Sequence, residues 1–207
     1  MPGAFLKRTG EGVTASGPAI GLIETTSIAR GLVVADQMVK RAPVELVFAR
    51  PVTPGKHVVI VSGDVAEVDE AMQIGTATAA HTLVDHLFLP QAHAAILRAL
   101  AGGRRATGLA ALGIVETFSI ASALLGADAA CKAAEVELAE LRLADGLGGK
   151  AYFIVTGSLD LVEAAVLAAE HRIVPGLLVT REIIAAPHDD LYEAVRRARL
   201  GDDTGRS

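Results

Sequence analysis

Two tandem α+β domains, each an antiparallel sheet covered by helices, are predicted by three features of this 207-residue sequence. One phrase is spelled twice, GLIETTSIAR at 21–30 and GIVETFSIAS at 113–122. Each copy alternates short apolar runs with stretches of helical periodicity. The core material is aliphatic, with 51% hydrophobic but only 3% aromatic residues and no Trp. Small side chains of this kind suit thin layers of helix on sheet.

The repeat sets the organisation. Aligning Ala19 with Ala111 gives an offset of 92, and half of the 32 pairs from there to Arg50 and Arg142 are identical. They include Glu24 with Glu116, Ser27 with Ser119, Asp36 with Asp128 and Lys40 with Lys132. After a two-residue insertion the register resumes at Lys56 with Lys150, and near the ends His93 matches His188. Solenoid units run at roughly 20–50 residues, so a repeat of this length is a domain duplication. The boundaries follow: residues 1–18 and 199–207 as tails rich in Gly, Thr, Ser and charge, domains at 19–100 and 111–198, and a short linker at 101–110 that sets the domains side by side.

Each element has a local reason. AIGLIET is a buried strand, after which Ser27, or Ser119 in the second copy, stands at a helix N-cap. In SIARGLVVADQMVKRA, Ile28, Leu32, Ala35, Val39 and Ala42 recur at helical spacing and are read as the face turned to the sheet, with Pro43 ending the helix. VELVFARP and KHVVIVSG are the second and third strands. Their connecting loop is PVTPG in copy one and LADGLGG in copy two, the main difference between the copies. Asp64 and Ser158 cap a second helix, followed by a fourth strand, LVDHLFL or LLVTREII, and a short terminal helix. The order β-α-β-β-α-β is ferredoxin-like.

Composition narrows the function. A formal charge of −5 without a basic block disfavours nucleic acid as a partner. Charges interrupt every apolar run short of the roughly 18–20 residues of a spanning helix. A single cysteine, Cys131, excludes an intramolecular disulfide framework, and the N-terminus lacks a long apolar signal, so a cytoplasmic location is expected. Cys131 matches Val39 and reads as a buried small hydrophobe. The histidines show no metal spacing, PGKH lacks the frame of a phosphate loop, and no nucleophile, base and orienter come together as a motif. Glu24 and Glu116 suggest an acid–base pair, but their matched positions argue for a structural role.

The phrases AIGLIETTSIARGLVVADQMVKRAPVELV, PGKHVVIVSGDV, ALGIVET and GGKAYFIVTGS resemble bacterial microcompartment shell proteins. The similarity is to the unpermuted, tandem-domain trimeric type (BMC-T) of propanediol-utilisation compartments. It extends from Ala19 to about Val195. That resemblance implies a homotrimer mimicking a hexamer, discs that tile with hexameric and pentameric shell proteins around encapsulated enzymes, and a central pore for small molecules. It also implies a structural protein of a microcompartment shell in the cytoplasm rather than an enzyme.

The resemblance assigns residues as well. Val52, Thr53, Pro54 and Gly55 in one loop, and Asp145, Gly146, Leu147 and Gly148 in the other, line the pore; the plain alternative is an ordinary Pro-Gly turn. Lys40 and Lys132, in the family's D-A-x-x-K pattern, are edge contacts, the alternative being i,i+4 pairs with Asp36 and Asp128. His93 and His188, at the family's P-R-P-H positions, are assigned to the edge as well, and as caps or packing groups they need no metal. The arginine of that motif is absent from both copies, so discs of this chain alone are expected to form weaker sheets than mixed ones. Some relatives hold an iron-sulfur cluster on a loop cysteine; Thr53 stands there, and a hydroxyl is a poor substitute for thiolate, so no cofactor is expected. A trimeric ferredoxin-like small-molecule sensor is the competing reading, with Arg50 and Lys56 its suggestive residues. A small ferredoxin-fold enzyme is a third.

Overall fold

The computed structural model describes residues 17–101, 110–144 and 146–191. Copy one runs β1 (Ala19–Thr25), α1 (Ile28–Arg41), β2 (Glu45–Val52), β3 (Lys56–Gly63), α2 (Val65–Ala79), a 3-10 turn (Ala80–Thr82), β4 (Leu83–Leu89) and α3 (Ala94–Leu100). Copy two repeats it as β5 (Ala111–Thr117), α4 (Ile120–Ala133), β6 (Glu137–Leu143), β7 (Ala151–Gly157), α5 (Leu159–Arg172) and β8 (Leu178–Ile184). The strand orders are β2-β3-β1-β4 and β6-β7-β5-β8, antiparallel throughout, which is the ferredoxin-like arrangement in both copies. The helix expected after β8 is described only over residues 189–191. Most of both tails and of the linker lies outside the described residues.

The caps act as the sequence predicts. The Ser27 hydroxyl accepts from Arg30 N at 3.2 Å and that of Ser119 from Ser122 N at 3.1 Å, which satisfies a free amide in each first turn. On β1, Ile23 packs with Val34, Met38, Val59, Val61 and Met72 under the helices. Ile20 and Leu22 face the other way and join Ile60, Leu87, Leu89 and Ile96 in a core that continues into copy two through Ile120, Leu124 and Phe153. The two copies therefore share apolar core across their boundary.

The first helix differs from the sequence expectation. Its buried residues are Gly31, Val34, Ala35 and Met38, while Ile28, Leu32 and Val39 are 42%, 56% and 39% exposed. Periodicity had mixed two apolar stripes, one for the sheet and one pointing outward. In α4 the residues matched to the outward stripe, Ile120, Leu124 and Cys131, are buried, and α4 packs against β4, β1 and α3 of copy one.

Gly31 shows how the copies repacked. A Cβ there would sit 2.4 Å from Nδ1 of His57, a buried residue at the start of β3. Copy two has Ala123 and Ala151 at the same two places, so volume moved from strand to helix. Gly31→Ala alone should destabilise the chain by about 1–3 kcal/mol through overpacking. Adding His57→Ala supplies the room, and denaturant unfolding of both singles and the double should give a coupling of at least about 0.5 kcal/mol. Strictly additive effects would contradict the fit.

Candidate pore loops and the seam between domains

The β2–β3 turn is closed by Gly55 N donating to Val52 O at 2.9 Å, with Gly55 at φ +97. An L side chain is strained in that region, so glycine is needed there. Thr53, Pro54 and Gly55 are exposed, whereas Val52 is packed into the core. In the β6–β7 turn, Ala144, Gly146, Gly148 and Gly149 all have positive φ. Gly146 and Gly148 are exposed, Leu147 is half-buried, and Asp145 lies outside the described residues. The two loops meet: a Cβ on Gly149 would be 3.1 Å from Pro54 Cδ and 3.7 Å from Lys56 Nζ. Residues about a hundred positions apart in sequence thus form one tip.

Beneath each loop lies a matched ion pair. Lys56 Nζ is 2.7 Å from Glu24 Oε1, and Lys150 Nζ is 3.0 Å from Glu116 Oε1. The β1–β3 register sets Glu24 opposite Val58, which brings the lysine two residues earlier within reach. Glu24 is fully buried; burial pushes its carboxyl above the ordinary carboxylate value, and the Lys56 ammonium opposes that shift. Both glutamates hold their loops to the sheet.

The seam carries the remaining polar chemistry. The Ser119 hydroxyl donates to Asp85 Oδ2 at 2.7 Å, placing an acid of copy one at the N-terminus of α4, where the helix dipole favours negative charge. His93 N donates to Asp128 Oδ1 at 2.7 Å, and the His93 ring caps α3 by accepting from Ala95 N. Lys132 Nζ donates to Asp128 Oδ2 at 2.6 Å and to the Gln91 carbonyl at 2.5 Å. A cleft of about 710 Å³ opens beside it, lined by Leu87, Pro90, Gln91, Leu125, Lys132 and Arg172 among others. Lys132 and His93 therefore join the two copies, with Lys132 still 46% exposed. Their matched partners are left outside: among the described residues Lys40 pairs with exposed Asp36 at 2.7 Å, and His188 is exposed, its ring accepting from Asp190 N. Burial raises the Cys131 thiol to about 11, as fits a packing residue. Among the described residues no His, Cys, Asp and Glu group could hold a metal, and no helix is long and apolar enough to cross a membrane. Sequence reasoning missed the outward stripe of α1 and the Gly31–His57 fit; comparing the copies residue by residue could have flagged the second.

The pattern of the BMC domain matches residues 19–92 and again 111–187. The chain belongs to the BMC-domain shell proteins. It is 41% identical over 175 residues to the bacterial microcompartment shell protein PduT of Citrobacter freundii, covering 84% of this chain and 95% of that protein. A crystal structure of a microcompartment protein from Desulfitobacterium hafniense DCB superposes with a TM-score of 0.77 at 43% identity, covering 84% of this chain and 98% of that one. The fused permuted hexameric shell protein of the RMM microcompartment shares the fold at a TM-score of 0.53 and 19% identity, over 74% of this chain and 80% of its own. The role of this BMC-domain protein is structural, in the shell of a bacterial microcompartment.

Proposed function

We propose that three chains close head to tail into a disc of six BMC domains that tiles the shell facets and passes small molecules through a central pore, without catalysing a reaction. The seam carries this reading. Within the chain, domain 1 buries Ile120 and Leu124 of α4 and receives Ser119, Asp128 and Lys132. On α1 the matched Ile28, Leu32, Ser27, Asp36 and Lys40 lie uncovered or half-covered, and the β8 end that would meet them, from Thr180 to His188, is largely exposed. Domain 2 of the next chain fits there as domain 1 fits α4. A contact of this heterologous kind closes into a ring or runs on as a filament; a sixfold arrangement of similar domains closes at three chains.

In the ring, three copies of Thr53, Pro54 and Gly55 alternate with three of Gly146, Leu147 and Gly148. Thr53 offers a hydroxyl where an iron-sulfur cluster needs thiolate, so the pore carries no cluster. Lys40, Lys132, His93 and His188 lie near the rim, where further discs and hexameric and pentameric shell proteins meet it; encapsulated enzymes lie behind.

Native mass spectrometry of anaerobically purified protein should give three 21.3-kDa chains with no excess mass and no visible charge-transfer absorption. A monomer would refute the disc. A stoichiometric cluster would refute the assignment at Thr53.

A further inference from the structure

His57 is the one fully buried imidazole among the described residues, and neither ring nitrogen has a hydrogen-bond partner there. It lies on β3 opposite Thr25 of β1 and Pro51 of β2, and its ring fills the space that Gly31 leaves on α1. The charges nearby in sequence face elsewhere. Glu24 and Lys56 pair with each other, and the strand alternation puts Glu24 on the opposite sheet face from Thr25 and His57. Arg50, in register with Val58, shares that opposite face. On α1, Arg30 is exposed and Asp36, Lys40 and Arg41 are a turn or more away; Glu67, Asp69 and Glu70 are in the first half of α2, and His81 of the 3-10 turn is exposed. Desolvation alone lowers the affinity of His57 for a proton, with no acid to offset it.

We propose that His57 makes the seam between subunits, but not the seam within the chain, sensitive to acid. This rests on the three-chain disc. Charging the ring forces it toward water, which it reaches only by lifting α1 from β3, and α1 presents Ile28 and Leu32 to the next subunit. In copy two the same places hold Ala151 and Ala123, so α4 has no such trigger. The sign follows from linkage: a depressed imidazole contributes stability that is complete above its unfolded value of 6.5 and is lost as pH falls through its folded value. Shells of this chain would loosen at one seam in two when a compartment or its surroundings acidify.

The test compares wild type with Gly31→Ala/His57→Ala, which installs the copy-two pair, by native mass spectrometry from pH 7.5 to 5.0. Wild-type trimer should dissociate more readily as pH falls through the folded value of His57, which lies below the ordinary 6.5, by up to about tenfold per pH unit per subunit. The double variant should lack that dependence, since the other five histidines are common to both. Equal pH dependence, or a wild type unmoved down to pH 5.0, would overturn the proposal. Should the double variant fail to assemble at pH 7.5, NMR titration of His57 in wild type decides: its midpoint should coincide with loss of the trimer, and separate midpoints would overturn the switch. A wild type already monomeric at pH 7.5 would refute the disc instead. The effect of His57 is then read from thermal unfolding, where a fall between pH 7.5 and 5.0 larger than in the double variant supports the acid-lifted helix and an equal fall overturns it.

Discussion

Leu32→Glu is expected to abolish assembly and leave the chain folded, whereas Leu124→Glu at the matched position should unfold it. Leu32 is 56% exposed in the single chain and Leu124 is fully buried against domain 1. An exposed substitution of this kind changes chain stability by about 0.5 kcal/mol or less, while an unpaired buried carboxylate costs more than about 4 kcal/mol. In the proposed disc the Leu32 site would be enclosed as the Leu124 site is, so each of the three seams should lose roughly 3 kcal/mol or more, about a hundredfold in affinity. Thermal melts report the fold and native mass reports the assembly. A Leu32→Glu protein that remains trimeric at micromolar concentration would mean that the outward stripe of α1 is not the subunit seam.

Lys56→Met should destabilise the protein far more than Lys150→Met, although the two lysines are matched. Glu24 is completely buried, and its lysine is 22% exposed; the second pair is 42% and 32% exposed. Removing Lys56 strands a buried carboxylate, a loss of about 3–5 kcal/mol near neutral pH. The exposed pair is screened, and its loss should cost about 1 kcal/mol or less. The pH dependence has a definite sign. A carboxyl raised above its unfolded value contributes stability below that value and loses it as pH rises through the folded one. Without Lys56 the Glu24 carboxyl rises further, so the deficit of the variant should shrink on acidification toward pH 4.5, where the protonated acid needs no cation. Denaturant midpoints at several pH values check this; a deficit that is equal for the two lysines, or constant with pH, would contradict the buried-pair account.

Much of the fold is legible locally. β1, β3 and β4 carry strong apolar runs bounded by capping or turn residues, and their limits fall where AIGLIET, KHVVIVSG and LVDHLFL place them. The four N-caps at Ser27, Asp64, Ser119 and Ser158 are equally local. The face of α1 is not, because a helix with apolar residues on two stripes satisfies several phases of the same period, and the sheet takes one stripe while the other points outward. The site divides in the same way. Matched glutamates and matched lysines identify a repeated structural pair, but the contact of Gly149 with Pro54 depends on how two domains dock. The same docking puts His93 against Asp128 and Lys132 against Gln91, contacts that no spacing within one copy encodes.

Cross-linking across the inferred subunit seam tests the disc most directly. Ser27→Cys and Thr180→Cys in one chain reproduce, between subunits, the places of Ser119 and Asp85, whose oxygens are 2.7 Å apart within the chain. Cys131 is buried, with its thiol raised to about 11, and does not compete. After treatment with a short bismaleimide, a denaturing gel should show linked dimers and trimers and nothing larger, the signature of a ring that closes at three. Unlinked monomer, or a ladder continuing past the trimer, would contradict it.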